Sequence, residues 1–272
     1  MRKAPIQYAA TIAASLLAFG ATAHADCTRD INVPVSANGA SVVIDGDKIH
    51  GIYPDLLRAI GPKAGCHFVL TVVPRARQVA MFEAGNADLL IPAARTPQRD
   101  EMGVFVPMMG HRSMLISIDN KRRAISSAKE LLARREIRVA VVRGFDFGEK
   151  YQALVAELTK QGRLFQEVDA NAVVRLMRDG AVDMTIMAPT IFAGAVNHEP
   201  RVSGLLDRLR MEPIPELPWG MSGAYISRTA LSAADQVTLQ ELFERIAKSK
   251  AVLEGFQRYH RADILAESVR PR

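Results

Sequence analysis

Cysteine and tryptophan are scarce in this 272-residue chain, with two of the first and one of the second, and aromatic side chains make up only 6% of it. Two thiols are too few for a Cys-rich zinc or iron–sulfur framework, which takes about four. No apolar run reaches the ~20 residues needed to span a bilayer, and the longest, roughly from Ala9 to Phe19, falls well short. The histidines of the main body, His50, His67, His111, His198 and His260, are scattered without metal-ligand spacing. There is no G-x-S-x-G elbow, no H-E-x-x-H, no P-loop and no G-x-G-x-x-G fingerprint. The familiar triad, metal and nucleotide chemistries therefore have no basis in the sequence. Nothing in it asks for a metal or a cofactor, and the expectation is a protein that is not an enzyme.

What is present begins at the N-terminus. Arg2 and Lys3 precede the short apolar run, and Ala23-His24-Ala25 follows it in the small-x-small pattern that a signal peptidase accepts. Residues 1–25 are expected to be a signal peptide cleaved after Ala25, which sends the mature chain to the periplasm. A lipoprotein signal wants a small residue directly before its cysteine, whereas Asp26 precedes Cys27. An oxidising compartment permits a disulfide between Cys27 and Cys66, and two inert thiols are the alternative. The formal charge is +6, but lysines and arginines are spread among acids, with short clusters only at Lys121-Arg122-Arg123 and Arg134-Arg135. That is a solvated basic surface, and nucleic acid is not an expected partner.

Apolar β-rich runs alternate with helix-period segments from Ile31 to about Ile191, the pattern of an α/β architecture with mainly parallel strands. Strands are expected at Ile31–Ser36, Phe68–Val73, Asp88–Pro92, Ile137–Val142 and Val182–Met187. Helices are expected at Asp55–Ile60, Arg77–Ala84, Ser127–Ala133, Phe147–Lys160 and Ala172–Arg178. Two stretches share one design: Gly85-Asn86-Ala87-Asp88 and Gly180-Ala181-Val182-Asp183 each follow a helix end and lead into an apolar strand. A glycine can take the left-handed conformation that stops a helix, so the echo points to two lobes of similar topology. Beyond the Pro213-Ile214-Pro215-Glu216-Leu217-Pro218 stretch, Leu239, Leu242, Phe243 and Ile246 fall on one face of a helix that Ser232 can cap. A second short helix runs from about Lys250 to Arg261.

Gly51-Ile52-Tyr53-Pro54-Asp55-Leu56-Leu57, Gly85-Asn86-Ala87-Asp88, Arg95-Thr96-Pro97-Gln98-Arg99 and Val139-Ala140-Val141-Val142-Arg143-Gly144 occur in an order and spacing that resembles the family 3 extracellular solute-binding proteins, the amino-acid-type receptors of bacterial ABC importers. The resemblance covers nearly the whole mature chain. It implies a periplasmic-binding-protein type II-like α/β fold, with two lobes joined by hinge strands near Met114–Ile118 and Met221–Ser227 and a ligand cleft between them. The first lobe is expected over 26–117 and 222–272, the second over 118–221. The partners implied are a small-molecule ligand, with a carboxylate expected, and the membrane permease of an ABC importer. Such receptors are usually monomers.

Thr96 can cap a helix, Pro97 suits its first position, and Arg99 follows on the first turn. Free N–H groups beside a guanidinium favour a carboxylate, and the family's matching arginine holds the ligand's carboxylate, which makes Arg99 the leading candidate. An exposed arginine at a helix end is its alternative. Gly144-Phe145-Asp146 follows a buried strand at the end where α/β sheets place ligands. Asp146 either contacts ligand or forms a capping box with Glu149, and Phe145 either stacks on the ligand or packs. Arg75 and Arg77 lie between a strand end and a helix start, where two arginines suit a ligand with more than one acidic group. Ser36, Asn38 and Thr190 are further lining candidates. Trp219 either packs at the hinge or offers a stacking surface.

Two departures from the family pattern bear on the ligand. Pro92 and Ala94 replace the hydroxyl residues usual before the Thr-x-x-Arg, and Ala188 stands where the acid for an α-ammonium group is expected. Two other functions are compatible with the same fold. One is a cyclohexadienyl dehydratase-like enzyme using Asp146, Glu149 or His111 as acid or base. The other is a ligand-binding sensory module for a membrane kinase.

Overall fold

The structure is a computed structural model and describes residues 26–118 and 122–272. The expected signal peptide, 1–25, lies outside the described residues. The first lobe opens with β1 (Ile31–Val35), the hairpin β2 (Val43–Asp45) and β3 (Lys48–His50), α1 (Ile52–Ile60), β4 (Phe68–Val72), α2 (Arg75–Glu83), β5 (Leu89–Ala94), α3 (Pro97–Met102) and the long β6 (Gly103–His111). The chain then crosses to β7 (Met114–Ile118), α4 (Ala128–Ala133), β8 (Val139–Val142), α5 (Glu149–Lys160), β9 (Leu164–Glu167), α6 (Ala170–Arg178), β10 (Met184–Met187), α7 (Pro189–Asn197) and β11 (Leu209–Glu212). It returns through β12 (Gly220–Ser227) and ends in α8 (Ala233–Lys248), α9 (Ala251–Tyr259), α10 (Ala262–Ser268) and β13 (Val269–Pro271).

The sheets are mixed, which corrects the expectation of mainly parallel strands. In the first lobe β1 and β4 form a parallel pair, but the order β13-β6-β12-β5 is antiparallel throughout. The second lobe has the order β11-β7-β10-β8-β9. There β8, β9 and β10 are parallel, β7 runs against them, and the edge strand β11 pairs antiparallel with β7 and so runs in their direction. Met114–Ile118, expected as a hinge strand, pairs inside the second sheet, and Met221–Ser227 pairs inside the first.

Strands buried on both faces carry apolar runs: every residue of β8 and β10 is buried, and Thr185 is the one polar residue among them. Around the first sheets, Ile31, Val33, Leu89 and Ile226 pack with Leu239, Leu242 and Phe243 of α8, whose start Ser232 caps by accepting from Asp235 N. The second sheet is covered on both faces, by Phe192 and Val173 on one and by Tyr151 and Leu154 on the other. Cys27 and Cys66 are disulfide-bonded, their Cα atoms 4.9 Å apart. The bond ties the start of the described chain to the turn before β4.

The sequence echo has a structural meaning. Gly85 and Gly180 both take positive φ, 70° and 66°, and end α2 and α6. The aspartate that follows does the same work in each lobe. Asp88 N donates to Asn32 O and its carboxylate accepts from Asn32 N at 2.7 Å, while Asp183 N donates to Arg138 O and its carboxylate accepts from Arg138 N at 2.8 Å. Each carboxylate also pairs with an arginine, Arg29 at 2.7 Å and Arg138 at 3.0 Å. One short side chain thus anchors the entry of the neighbouring strand in both halves.

Candidate functional site

The carboxyl end of β5 leads directly into α3, and the turn between them is fixed from below. Tyr225 on β12 is fully buried, its ring tilted against that of Phe105 with centres 4.7 Å apart, and its hydroxyl accepts from Thr96 N at 3.1 Å and donates to Asp100 Oδ1 at 2.9 Å. Thr96 caps α3 by accepting from Arg99 N at 3.3 Å. Arg99 is consequently held inward, with 3% of its surface exposed, and its Nη1 donates to Ala94 O at 3.0 Å. Burial lowers its pKa, partly offset by the carboxylate of Asp146.

A second guanidinium is buried close by. Arg75, 5% exposed at the start of α2, donates through Nη1 to Gln78 Oε1 at 2.9 Å and to Pro92 O at 3.2 Å, and its Nε has no partner. Its pKa falls to about 9, first through desolvation and then through the positive charge of Arg99. Ser36, also buried, is bonded to the same Gln78 at 2.8 Å and so belongs to the support of Arg75. Arg77, on the same helix, faces solvent.

The opposite wall comes from the second lobe. After β8 the chain turns at Gly144, whose φ of +87° suits glycine. A Cβ there would sit 2.8 Å from the Cα of Ala76, so the turn rests directly on the start of α2. Phe145 presents its ring to Arg75, with 6.0 Å from guanidinium to ring centre. Of the two readings of Asp146, the capping box with Glu149 is not formed: Gly148 is the N-cap residue of α5, and Asp146 Oδ1 accepts from Gly148 N at 2.8 Å within the turn. α7 closes the far side, and Thr190 is buried in its first turn, not on a loop.

Between these walls lie three cavities. The largest, about 240 Å³, is lined by Arg99, Glu83, Gly144, Phe145, Asp146 and Tyr151 among others. Phe145 and Asp146 also face a second of about 50 Å³, with Arg75, Ala94, Asn38 and His111. Asn38 and His111 continue into a third of about 40 Å³ with Thr190, Ala188, Tyr53 and Ser222. Arg99, Arg75, Ala94, Asn38, Thr190 and the 144–146 turn are therefore brought to one cleft. Thr96 and Ser36 stand behind it, and Arg77 stands outside. Tyr53, Ser222 and His111 line the cleft without having been singled out as ligand contacts. Ser222 lies on β12 and His111 ends β6, a strand that Pro107 and Gly110 obscure in the sequence. Burial lowers the His111 pKa to about 4, so its ring is neutral at pH 7.

Trp219 lines none of the three cavities, although the next residue, Gly220, pairs with His111, which lines two of them. The Trp219 side chain lies between two guanidiniums, Arg112 at 4.9 Å and Arg270 at 4.7 Å from its ring centre. Among the described residues no group of three or more His, Cys, Asp or Glu side chains is placed to hold a metal ion, and no helix is long and apolar enough to cross a membrane.

No protein-family model and no curated protein sequence matches the chain. Solved structures do. An ancestral arginine-binding protein bound to arginine superposes with a TM-score of 0.66 at 15% identity, over 85% of this chain and 98% of that one. The fold is periplasmic-binding-protein type II-like. An amino acid ABC transporter substrate-binding protein from Streptococcus pneumoniae bound to L-arginine gives a TM-score of 0.64 at 18% identity, over 85% and 92% of the two chains. An ancestral amino acid-binding protein, a precursor of cyclohexadienyl dehydratase, gives 0.65 at 14% identity, over 85% and 95%. Identities this low establish the binding-protein fold and leave the ligand to the cleft itself.

Proposed function

We propose that the chain is a periplasmic solute-binding receptor that captures a small carboxylate-bearing ligand by lobe closure and presents it to an ABC-type permease. The observation that carries this reading is Arg99, a buried guanidinium whose hydrogen bond goes to a neutral carbonyl and which faces a cavity walled on the other side by the second lobe. A buried cation without a direct ion pair is costly even with the carboxylates of Asp146 and Glu83 nearby, and a ligand carboxylate supplies that pair with bidentate geometry. The ligand docks first on the lobe carrying Arg99. Closure then brings the 144–146 turn and α7 over it, the chain bending at 112–113 and 213–219, where it passes between the sheets. The closed form is what the permease recognises, and the receptor acts as a monomer.

A thermal-shift screen of the mature protein against amino acids, mono- and dicarboxylates, aromatic acids and polyamines tests this. A ligand at 100 times its dissociation constant adds ~2.7 kcal/mol to stability, which is readily visible. Stabilisation by a carboxylate that is left unaltered after incubation supports a receptor. Stabilisation by cations alone contradicts it, and chemical consumption of the ligand replaces the receptor with a dehydratase-like enzyme.

A further inference from the structure

The 144–146 turn of the second lobe divides a cleft that contains two buried guanidiniums, one on each side. Arg99 faces the cavity of about 240 Å³, Arg75 faces the cavity of about 50 Å³, and Phe145 and Asp146 line both. The two arginines come from successive helices of the first lobe, α2 and α3, on either side of β5. Neither is placed by an ion pair: the hydrogen bonds of Arg75 go to the Gln78 amide and the Pro92 carbonyl, and that of Arg99 to the Ala94 carbonyl. Arg75 additionally keeps an unpartnered Nε, although only 5% of the residue is exposed.

The arginines elsewhere are satisfied differently: Arg163, 5% exposed, also lacks an ion pair, but its three guanidinium nitrogens donate to Gln161 Oε1, Ile137 O and Leu131 O and it lines none of these cavities. Arg138 is paired with Asp183, Arg122 with Glu212 and Arg29 with Asp88. Two inward-facing guanidiniums left to neutral acceptors therefore mark a place where negative charge arrives from outside the chain. Asp146 faces both cavities and Glu83 faces the larger one, but neither is ion-paired with Arg99 or Arg75, and one oxygen of Asp146 is committed to Gly148 N. One monovalent carboxylate satisfies one arginine fork. Two forks on one wall call for two anionic groups.

We infer that the ligand carries two acidic groups, one held by Arg99 and the other by Arg75, with the 144–146 turn closing over the span between them. This rests on the receptor reading and narrows its ligand class from carboxylates to diacids. Ala188, in place of an acid near the third cavity, fits a site in which anchoring comes from paired negative charge more than from an ammonium group. Gln78 holds Arg75 in position from below, and Ser36 holds Gln78.

The test is calorimetric titration of the mature protein with the α,ω-dicarboxylates succinate, glutarate and adipate, with the matching monocarboxylates, and with neutral and acidic amino acids. The expected result is that a diacid or acidic amino acid binds at least thirtyfold more tightly than its mono-acid counterpart. Arg75→Gln should remove that preference by weakening diacid binding at least tenfold, and Arg75→Lys should restore part of it. If the wild-type protein binds mono-acids as tightly as diacids, the two-acid ligand is wrong and the receptor reading stands. If no carboxylate of either kind binds, both are wrong. The wild-type comparison decides the matter even if Arg75→Gln fails to fold.

Discussion

Gly194 on α7 touches the backbone of Ala40 so closely that a Cβ at that position would lie 2.2 Å from Ala40 N and 2.6 Å from the Cα of Gly39. The two segments belong to opposite lobes. The obstructing atoms are backbone, so no rotamer change relieves the overlap. Gly194→Ala is expected to keep both lobes folded, with cooperative unfolding retained, and to weaken ligand binding at least tenfold by holding the lobes apart. Calorimetric titration together with small-angle scattering of the ligand-saturated variant checks this. Unchanged affinity with a compact bound state would mean that closure does not use this contact.

Trp219 is the only tryptophan in the chain and sits where the polypeptide returns from the second sheet to the first. Its stacking between Arg112 and Arg270 combines two cation–π contacts, each about 0.5–1 kcal/mol at a partly exposed site. Because Arg112 lies at the other crossing between the sheets, bending moves it relative to the ring. Intrinsic fluorescence is therefore expected to change on ligand addition, and the change should be lost in Trp219→Phe. A saturable ligand that leaves the emission untouched would place the hinge elsewhere.

The disulfide closes a segment of 39 residues. Constraining that length in the unfolded chain contributes roughly 3–4 kcal/mol, and Cys27→Ser with Cys66→Ser should lower the unfolding free energy by about that amount without altering ligand specificity. Denaturant titration of the double variant and of the reduced wild type gives the comparison.

His260 stacks on Phe256 with ring centres 5.9 Å apart, and both its nitrogens are buried without partners. Desolvation lowers its pKa to about 4. The folded state thus favours the neutral ring, so its contribution to stability is full above the unfolded value of about 6.5 and is lost as pH falls through 4. His111 shifts in the same direction. His260→Phe should raise stability by on the order of 1 kcal/mol at pH 7, since two unsatisfied polar atoms disappear, and should flatten the loss between pH 6.5 and 4. Melting temperatures across that range would show it, and an unchanged slope would assign the acid sensitivity to other groups.

Much of the first lobe's logic was legible because it obeys local rules. Thr96, Pro97 and Arg99 announce a capped helix start, and Gly85 with Asp88 announces a helix stop and a strand. What was hidden depends on partners distant in sequence. β6 contains Pro107, which cannot donate to a ladder. It is tolerated because the register against β12 shifts at that point, between Ser222 and Gly223. β7 reads as a simple apolar strand, and only its pairing with β10 and β11 assigns it to the second sheet. Arg75 and Arg77 are indistinguishable by composition. Helical phase turns the first inward onto Gln78 and the second to solvent.

The most direct test of the central claim is the affinity of the best-stabilising carboxylate for wild type and for Arg99→Ala, measured by calorimetric titration in the same buffer. Loss of a buried, charge-assisted pair is expected to weaken binding about 100-fold, or ~2.7 kcal/mol, with the variant's unfolding still cooperative. Equal affinity in the two proteins would contradict a ligand anchored on Arg99 between the lobes.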